Sequence, residues 1–153
     1  MARLETYSKE ERNHLLSLPC PTFESTAFNA GPQLSQRKVA IISTAGLHLR
    51  TDRPFGLGAS DYRLISRHIS SKDLVMSHIS TNFDRSGFQM DVNLVFPLDR
   101  LCELADAGFI GSVASYHYSF MGATDPGAMK ETAQNLAGIM NKDGVNAVLL
   151  VPV

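Results

Sequence analysis

The sequence predicts an α/β fold in three layers, with helices on both sides of a mostly parallel, open sheet. Three observations carry this expectation. Segments of strand character alternate with segments of helical period, which in one domain points to parallel strands joined by crossover helices. The runs Lys38–Ser43 (KVAIIS) and Ala147–Val151 (AVLLV) are apolar without alternation, the pattern of strands covered on both faces. A chain of 153 residues, 44% hydrophobic and 19% charged, has the size and composition of one globular domain.

The elements follow in chain order. Ser8 with Glu11 three residues later forms a capping box for a short first helix, with Leu15 and Leu16 on its apolar side and Pro19 and Pro21 ending it. Residues 22–36 show no period, so 1–36 read as a helix and arm preceding an α/β domain over 37–153. After Lys38–Ser43, the Gly- and Pro-rich stretch 51–60 is loop. Residues 62–65 and 73–77 have strand character, and 77–87 is a polar loop. Pro97 suits a first helical turn; Leu98, Leu101, Cys102 and Ala105 then share one helical face, and Gly108 stops the helix. Residues 113–120 form an aromatic strand. Asp125-Pro126 opens a helix whose inner side is Met129, Ala133, Leu136, Ala137 and Met140, closed by Gly144. The last strand is 146–153, giving an open sheet of the Rossmann or flavodoxin-like kind.

Composition removes several functions. Fourteen basic and fifteen acidic residues leave a net charge of −1, with no cluster of four or more Lys/Arg, so no nucleic-acid partner is expected. Cys20 and Cys102 are too few for a disulfide scaffold or a four-thiolate zinc site. No apolar run approaches the ~20 residues of a membrane span, and MARLETYSKEER lacks the apolar core of a signal peptide, so a cytoplasmic protein is expected.

Residues just past the strand ends converge on one rim of a parallel sheet. His48, His78 and His117 each stand at or beyond a strand, with Asp84 and Arg85 in the loop after His78. This rim admits proton transfer by imidazole and carboxylate recognition by guanidinium. Ser43-Thr44-Ala45-Gly46 is a candidate for holding an anion on backbone N–H groups. Gly56-Leu57-Gly58 is too short for a dinucleotide fingerprint, and no His or Cys spacing supports a metal site. Cys102 lies on an apolar helix face and Cys20 has no basic neighbour, so neither reads as a nucleophile. Ala147–Val151 has no polar face and is expected inside the sheet, so the chain is expected to stop after a central strand, where a catalytic loop begins.

Several blocks, in order, resemble the B-subunit (selenoprotein B) family of glycine, sarcosine, betaine and D-proline reductases. They are STAGLHLR at 43–50 with DRPF at 52–55, SHIS at 77–80 with NFDRSG at 82–87, and Asp91 with Asn93. VFPLDRL at 95–101, HYSFMG at 117–122 and GVNAVLL at 144–150 complete the set. The resemblance implies a subunit of a complex that reductively cleaves the C–N bond of an amino acid or betaine-type substrate. It implies a selenocysteine or cysteine just after Val153, a pyruvoyl group on a partner subunit, a dithiol electron donor and an oligomer. For such a reaction, residue chemistry makes His48 and His78 the expected groups for proton transfer and Arg50, Asn82, Asp84 and Arg85 the expected substrate-binding residues. This chain alone is then expected to be inactive. Two other readings stay open on the residues: a non-catalytic assembly module, and an α/β metal-dependent enzyme using His48, His78 and Asp84.

Overall fold

The long apolar run Lys38–Ser43 forms β1, the strand around which the sheet is built. A computed structural model of the chain describes residues 3–22, 24, 26–80 and 85–153. Within them lie β2 (Leu47–Leu49), β3 (Arg63–Ser66), β4 (Leu74–Met76), β5 (Ser112–Val113), β6 (Tyr116–Ser119) and β7 (Ala147–Val151). The helices are α1 (Lys9–Ser17), α2 (Ser86–Met90), α3 (Leu98–Asp106) and α4 (Lys130–Lys142). On one side β1 pairs in parallel first with β5 (Lys38 opposite Ser112) and then with β6 (Ser43 opposite Ser119). On its other side it pairs in parallel with β7, from Val39 opposite Ala147 to Ser43 opposite Val151. β3 runs antiparallel along the outside of β6, and β2 and β4 form a separate antiparallel ribbon.

Alternate side chains of β1 enter opposite layers, as the pleat requires. Val39 and Ile41 join Phe96, Leu98 and Leu101 on the α3 side. Ala40 joins Tyr118, Phe120, Leu136 and Met140 on the α4 side. The three-layer, mostly parallel α/β reading of the sequence therefore holds. Gly108 (φ +75°) and Gly144 (φ +73°) close α3 and α4 in the left-handed conformation that favours glycine.

Several local expectations need correction. The single strand expected over 113–120 is two. At the break the Ala114 N–H still donates to the Val39 carbonyl (2.9 Å), but the Ser115 carbonyl turns outward to accept the Arg67 N–H (3.0 Å). The next inward donor of β1, the Ile41 N–H, therefore meets no strand carbonyl and donates to His117 Nδ1 at 3.0 Å. An imidazole stands in for one rung of the ladder. Pro97 is the residue before α3 rather than its first turn, and the helix after Asp125 starts with a 3-10 turn over Pro126–Met129. The polar loop over 77–87 gives way to α2 at Ser86. α1 has its capping box, but buries none of its residues and leaves Leu16 exposed, so it contributes no apolar side to the core.

β7 was expected inside the sheet. Among the described residues it pairs with β1, and its apolar Val148, Leu149 and Leu150 are 40%, 37% and 65% exposed.

The ribbon is held to the sheet by Ser119, whose buried Oγ accepts the Leu47 N–H at 2.8 Å. Ser119→Ala strands that N–H, and a loss of about 1–3 kcal/mol in urea unfolding is expected. An unchanged midpoint would show that the ribbon docks without this bond.

Candidate functional site

β1, β6 and β7 run parallel, so their carboxyl ends open on one rim. Thr44, the first residue past β1, organises it. The Thr44 N–H donates to the Val151 carbonyl (3.1 Å) and the Gly122 N–H donates to the Thr44 carbonyl (2.8 Å). Thr44 Oγ1 accepts the Val153 N–H at 2.8 Å and donates to the Val153 carbonyl at 3.3 Å. One side chain thus holds both backbone groups of the residue that leaves β7.

His78 sits against this clamp and is buried. Gly46 has φ +64°, and a Cβ there would come within 3.0 Å of the His78 N and 3.1 Å of its Cα. Gly122 leaves room for the ring. A Cβ on Gly122 would lie 2.6 Å from the Val153 carbonyl oxygen, 2.9 Å from His78 Nε2 and 2.9 Å from the Thr44 carbonyl oxygen. His78 Nδ1 accepts the Ser80 N–H at 3.2 Å. Burial, with the Arg85 cation beside it, holds the His78 pKa below the ordinary imidazole value. The ring is therefore neutral at pH 7, and its proton belongs on Nε2.

The other expected site residues are dispersed. Arg85 does meet His78, donating to its carbonyl (2.7 Å) and to the Ser80 carbonyl. It also lines a cleft of about 520 Å³ with Lys72, Asp91, Asn93 and Asp99. Arg50 is exposed and donates to the Lys72 carbonyl at 3.3 Å. His48 is buried in β2, with Nδ1 at 2.7 Å from the Leu49 carbonyl and its ring edge-on to Phe55. His117 belongs to the sheet, as its rung with Ile41 shows. Asn82 and Asp84 lie outside the described residues. The anion site expected at Ser43-Thr44-Ala45-Gly46 is absent: the Thr44, Ala45 and Gly46 N–H groups go to Val151, Ser43 Oγ and Phe120. Cys20 is exposed and Cys102 is partly buried against the core. Among the described residues no three His, Cys, Asp or Glu side chains gather as metal ligands, and no helix is long and apolar enough to cross a membrane.

Thr44 was expected only as part of a backbone anion site, and Gly122 was not singled out. Thr44 directly follows β1 and Gly122 lies three residues past β6, which was the available signal.

Comparison with known proteins gives this rim its context. Residues 9–153 match the family described as glycine/sarcosine/betaine reductase selenoprotein B. The chain belongs to this selenoprotein B family. It is 33% identical over 121 residues to the D-proline reductase subunit gamma of Acetoanaerobium sticklandii, covering 77% of this chain and 49% of that protein. It is 32% identical over 140 residues to the sarcosine reductase complex component B subunit beta of Peptoclostridium acidaminophilum, covering 86% and 32%. A glycine reductase complex component B subunit gamma from Carboxydothermus hydrogenoformans is 28% identical over 145 residues, covering 90% and 33%. The chain thus spans about half the length of the first of these selenoprotein B relatives and about a third of the other two. No solved structure matches it.

Proposed function

We propose that this chain forms part of the redox subunit of a reductase complex that cleaves the C–N bond of an amino acid or betaine-type substrate. The observation that carries this reading is the placement of His78 beside Val153 in a chain of the selenoprotein B family. The family resemblance puts a selenol or thiol in the segment following β7 and a pyruvoyl group on a partner subunit. When bound, the selenol or thiol supplies a nucleophile that ionises more readily than a hydroxyl, and the pyruvoyl group supplies an electron sink. A dithiol donor completes the redox cycle. What supports the reading is that His78 Nε2 and the Val153 carbonyl crowd the same point beside Gly122, so an imidazole stands next to the residue that leaves β7.

This chain's own residues then bind and orient. Arg85 braces the carbonyls of His78 and Ser80, and lines the cleft that also holds Lys72, Asp91 and Asp99. A cleft carrying both signs of charge suits a zwitterionic substrate, with guanidinium and ammonium groups facing its carboxylate.

The test is turnover by the complex assembled from the full-length subunit, its pyruvoyl partner and a dithiol donor, offered glycine, sarcosine, betaine and D-proline. Amine or ammonia release from one of the four is expected. Arg85→Met is expected to raise KM more than it lowers kcat. No release from any substrate by a correctly assembled complex would defeat this reading.

A further inference from the structure

We propose that β7 is an inner strand of the whole selenoprotein B subunit. A further strand, from the part of that polypeptide outside residues 9–153, pairs along the free edge of β7, and an apolar helix face covers Val148 and Leu150. The occupant is the subunit's own chain. This goes beyond the reaction proposed above and does not depend on it.

Backbone direction defines the edge. In β1 the Val39 and Ser43 carbonyls accept from Ala114 and Phe120, and the Ile41 N–H donates to His117, so its odd-numbered residues face β5 and β6. The even-numbered ones face β7, where the Thr44 N–H donates to the Val151 carbonyl at 3.1 Å. The N–H and C=O of one strand residue point to the same side, so Val151 and its alternates Leu149 and Ala147 are turned to β1. Val148 and Leu150 therefore turn theirs outward, where no strand stands among the described residues. Pro152, the next outward position, has no N–H, so pairing along this edge centres on Val148 and Leu150.

The side chains agree with the backbone. The register sets Val148 beside Ala40 and Leu150 beside Ile42, on the α4 side, and Leu149 beside Ile41, on the α3 side. All three are more than a third exposed. Natural edge strands are guarded by charge, a bulge or an internal proline, and AVLLV carries no charge and no proline.

Length and area decide what closes the edge. Selenoprotein B relatives carry at least as much chain outside the matching stretch as within it, enough for a strand and the helix that crosses over to it. A second copy fits less well. Three partly exposed side chains on a five-residue strand fall far short of the ~800 Å² that each partner of a stable interface buries. A strand of the same subunit needs no such area, because its association is intramolecular.

Amide hydrogen exchange, read residue by residue, tests this. In the full-length subunit the Val148 and Leu150 amides should exchange within about tenfold of Leu149 and Val151. In the 153-residue chain they should exchange about a hundredfold or more faster than those two neighbours. Fast outward amides in the full-length subunit overturn the proposal, and so do outward amides already protected in a monomeric 153-residue chain. Protection in the full-length subunit that is lost on dilution, together with a fall from dimer to monomer mass, assigns the edge to a second copy and overturns it as well. If the 153-residue chain does not fold, the full-length measurement decides alone.

The cover over the α4 side has its own test. Leu150→Lys should lower the melting temperature of the full-length subunit by about 5 °C or more, and a change within about 2 °C overturns the covering helix. Neither measurement involves turnover. A subunit with a protected edge in a complex that releases no amine would keep this inference and remove the proposed function, while turnover with a free edge would do the reverse.

Discussion

His117→Ala is expected to cost about 3–5 kcal/mol of stability, read as a lowered midpoint in urea or guanidinium unfolding. The ring is fully buried and lies edge-on to Phe96 at 5.7 Å. Truncation opens a cavity and also strands the Ile41 N–H inside the sheet. His117→Asn keeps a side-chain acceptor near that N–H and should recover part of the loss. A cost below about 1 kcal/mol for the alanine would show that the sheet closes its gap without the imidazole. The same residue makes the fold acid-sensitive. Burial, with a smaller contribution from Arg67, lowers the His117 pKa from 6.5 to about 4. Between those values the unfolded chain takes up a proton that the folded one refuses, so stability falls as pH drops through this window and is fully present above it. The loss on reaching pH 4 is about 3 kcal/mol from this group. His78 shifts in the same direction, so His117→Asn should flatten the pH dependence without abolishing it.

Phe96→Ala should be comparably severe. Phe96 is 1% exposed and stands where the 92–97 segment turns into α3, its N–H donating to the Val92 carbonyl at 2.8 Å. Its ring fills the α3 layer beneath β1 and supports His117. Removal is expected to cost about 3–5 kcal/mol, with a fall in melting temperature of about 10 °C. Because Val92 and Val95 from the same segment line the cleft, the variant should also weaken substrate binding by the assembled complex. A melting temperature within about 2 °C of the parent would show that the core repacks around the gap.

What the sequence made legible is the burial of each segment, and what it hid is the pairing. The run KVAIIS announced a strand covered on both faces, and Leu98, Leu101, Leu136 and Met140 announced the helix faces that cover it. The same logic said nothing of β1 as the neighbour of β7, because an apolar strand carries no mark of which strand it meets. The break between β5 and β6 was equally hidden. Residues 113–120 have uninterrupted strand propensity, and only the Ile41–His117 bond, between residues far apart in the chain, shows where the ladder changes partner. At the rim, residue chemistry drew attention to His48, His78, Arg50 and Arg85; of these, His78 is the one that lies against Gly122 and the end of β7. Glycine and threonine act there through the space they leave and the backbone they hold, which no single-residue property records.

The position of β1 bears on how the protein is made. Every parallel neighbour of β1 lies later in the chain: Lys38 waits for Ser112, and Val39 for Ala147. At ~5–20 residues per second, this central strand leaves the ribosome several seconds before its partner strands exist. During that interval the apolar, sheet-forming run Val39–Ile42 is open to any extended peptide it meets. Substitutions that slow synthesis or weaken β6 should therefore lower the yield of folded protein more than its final stability, with nascent-chain capture by chaperones as their first visible effect.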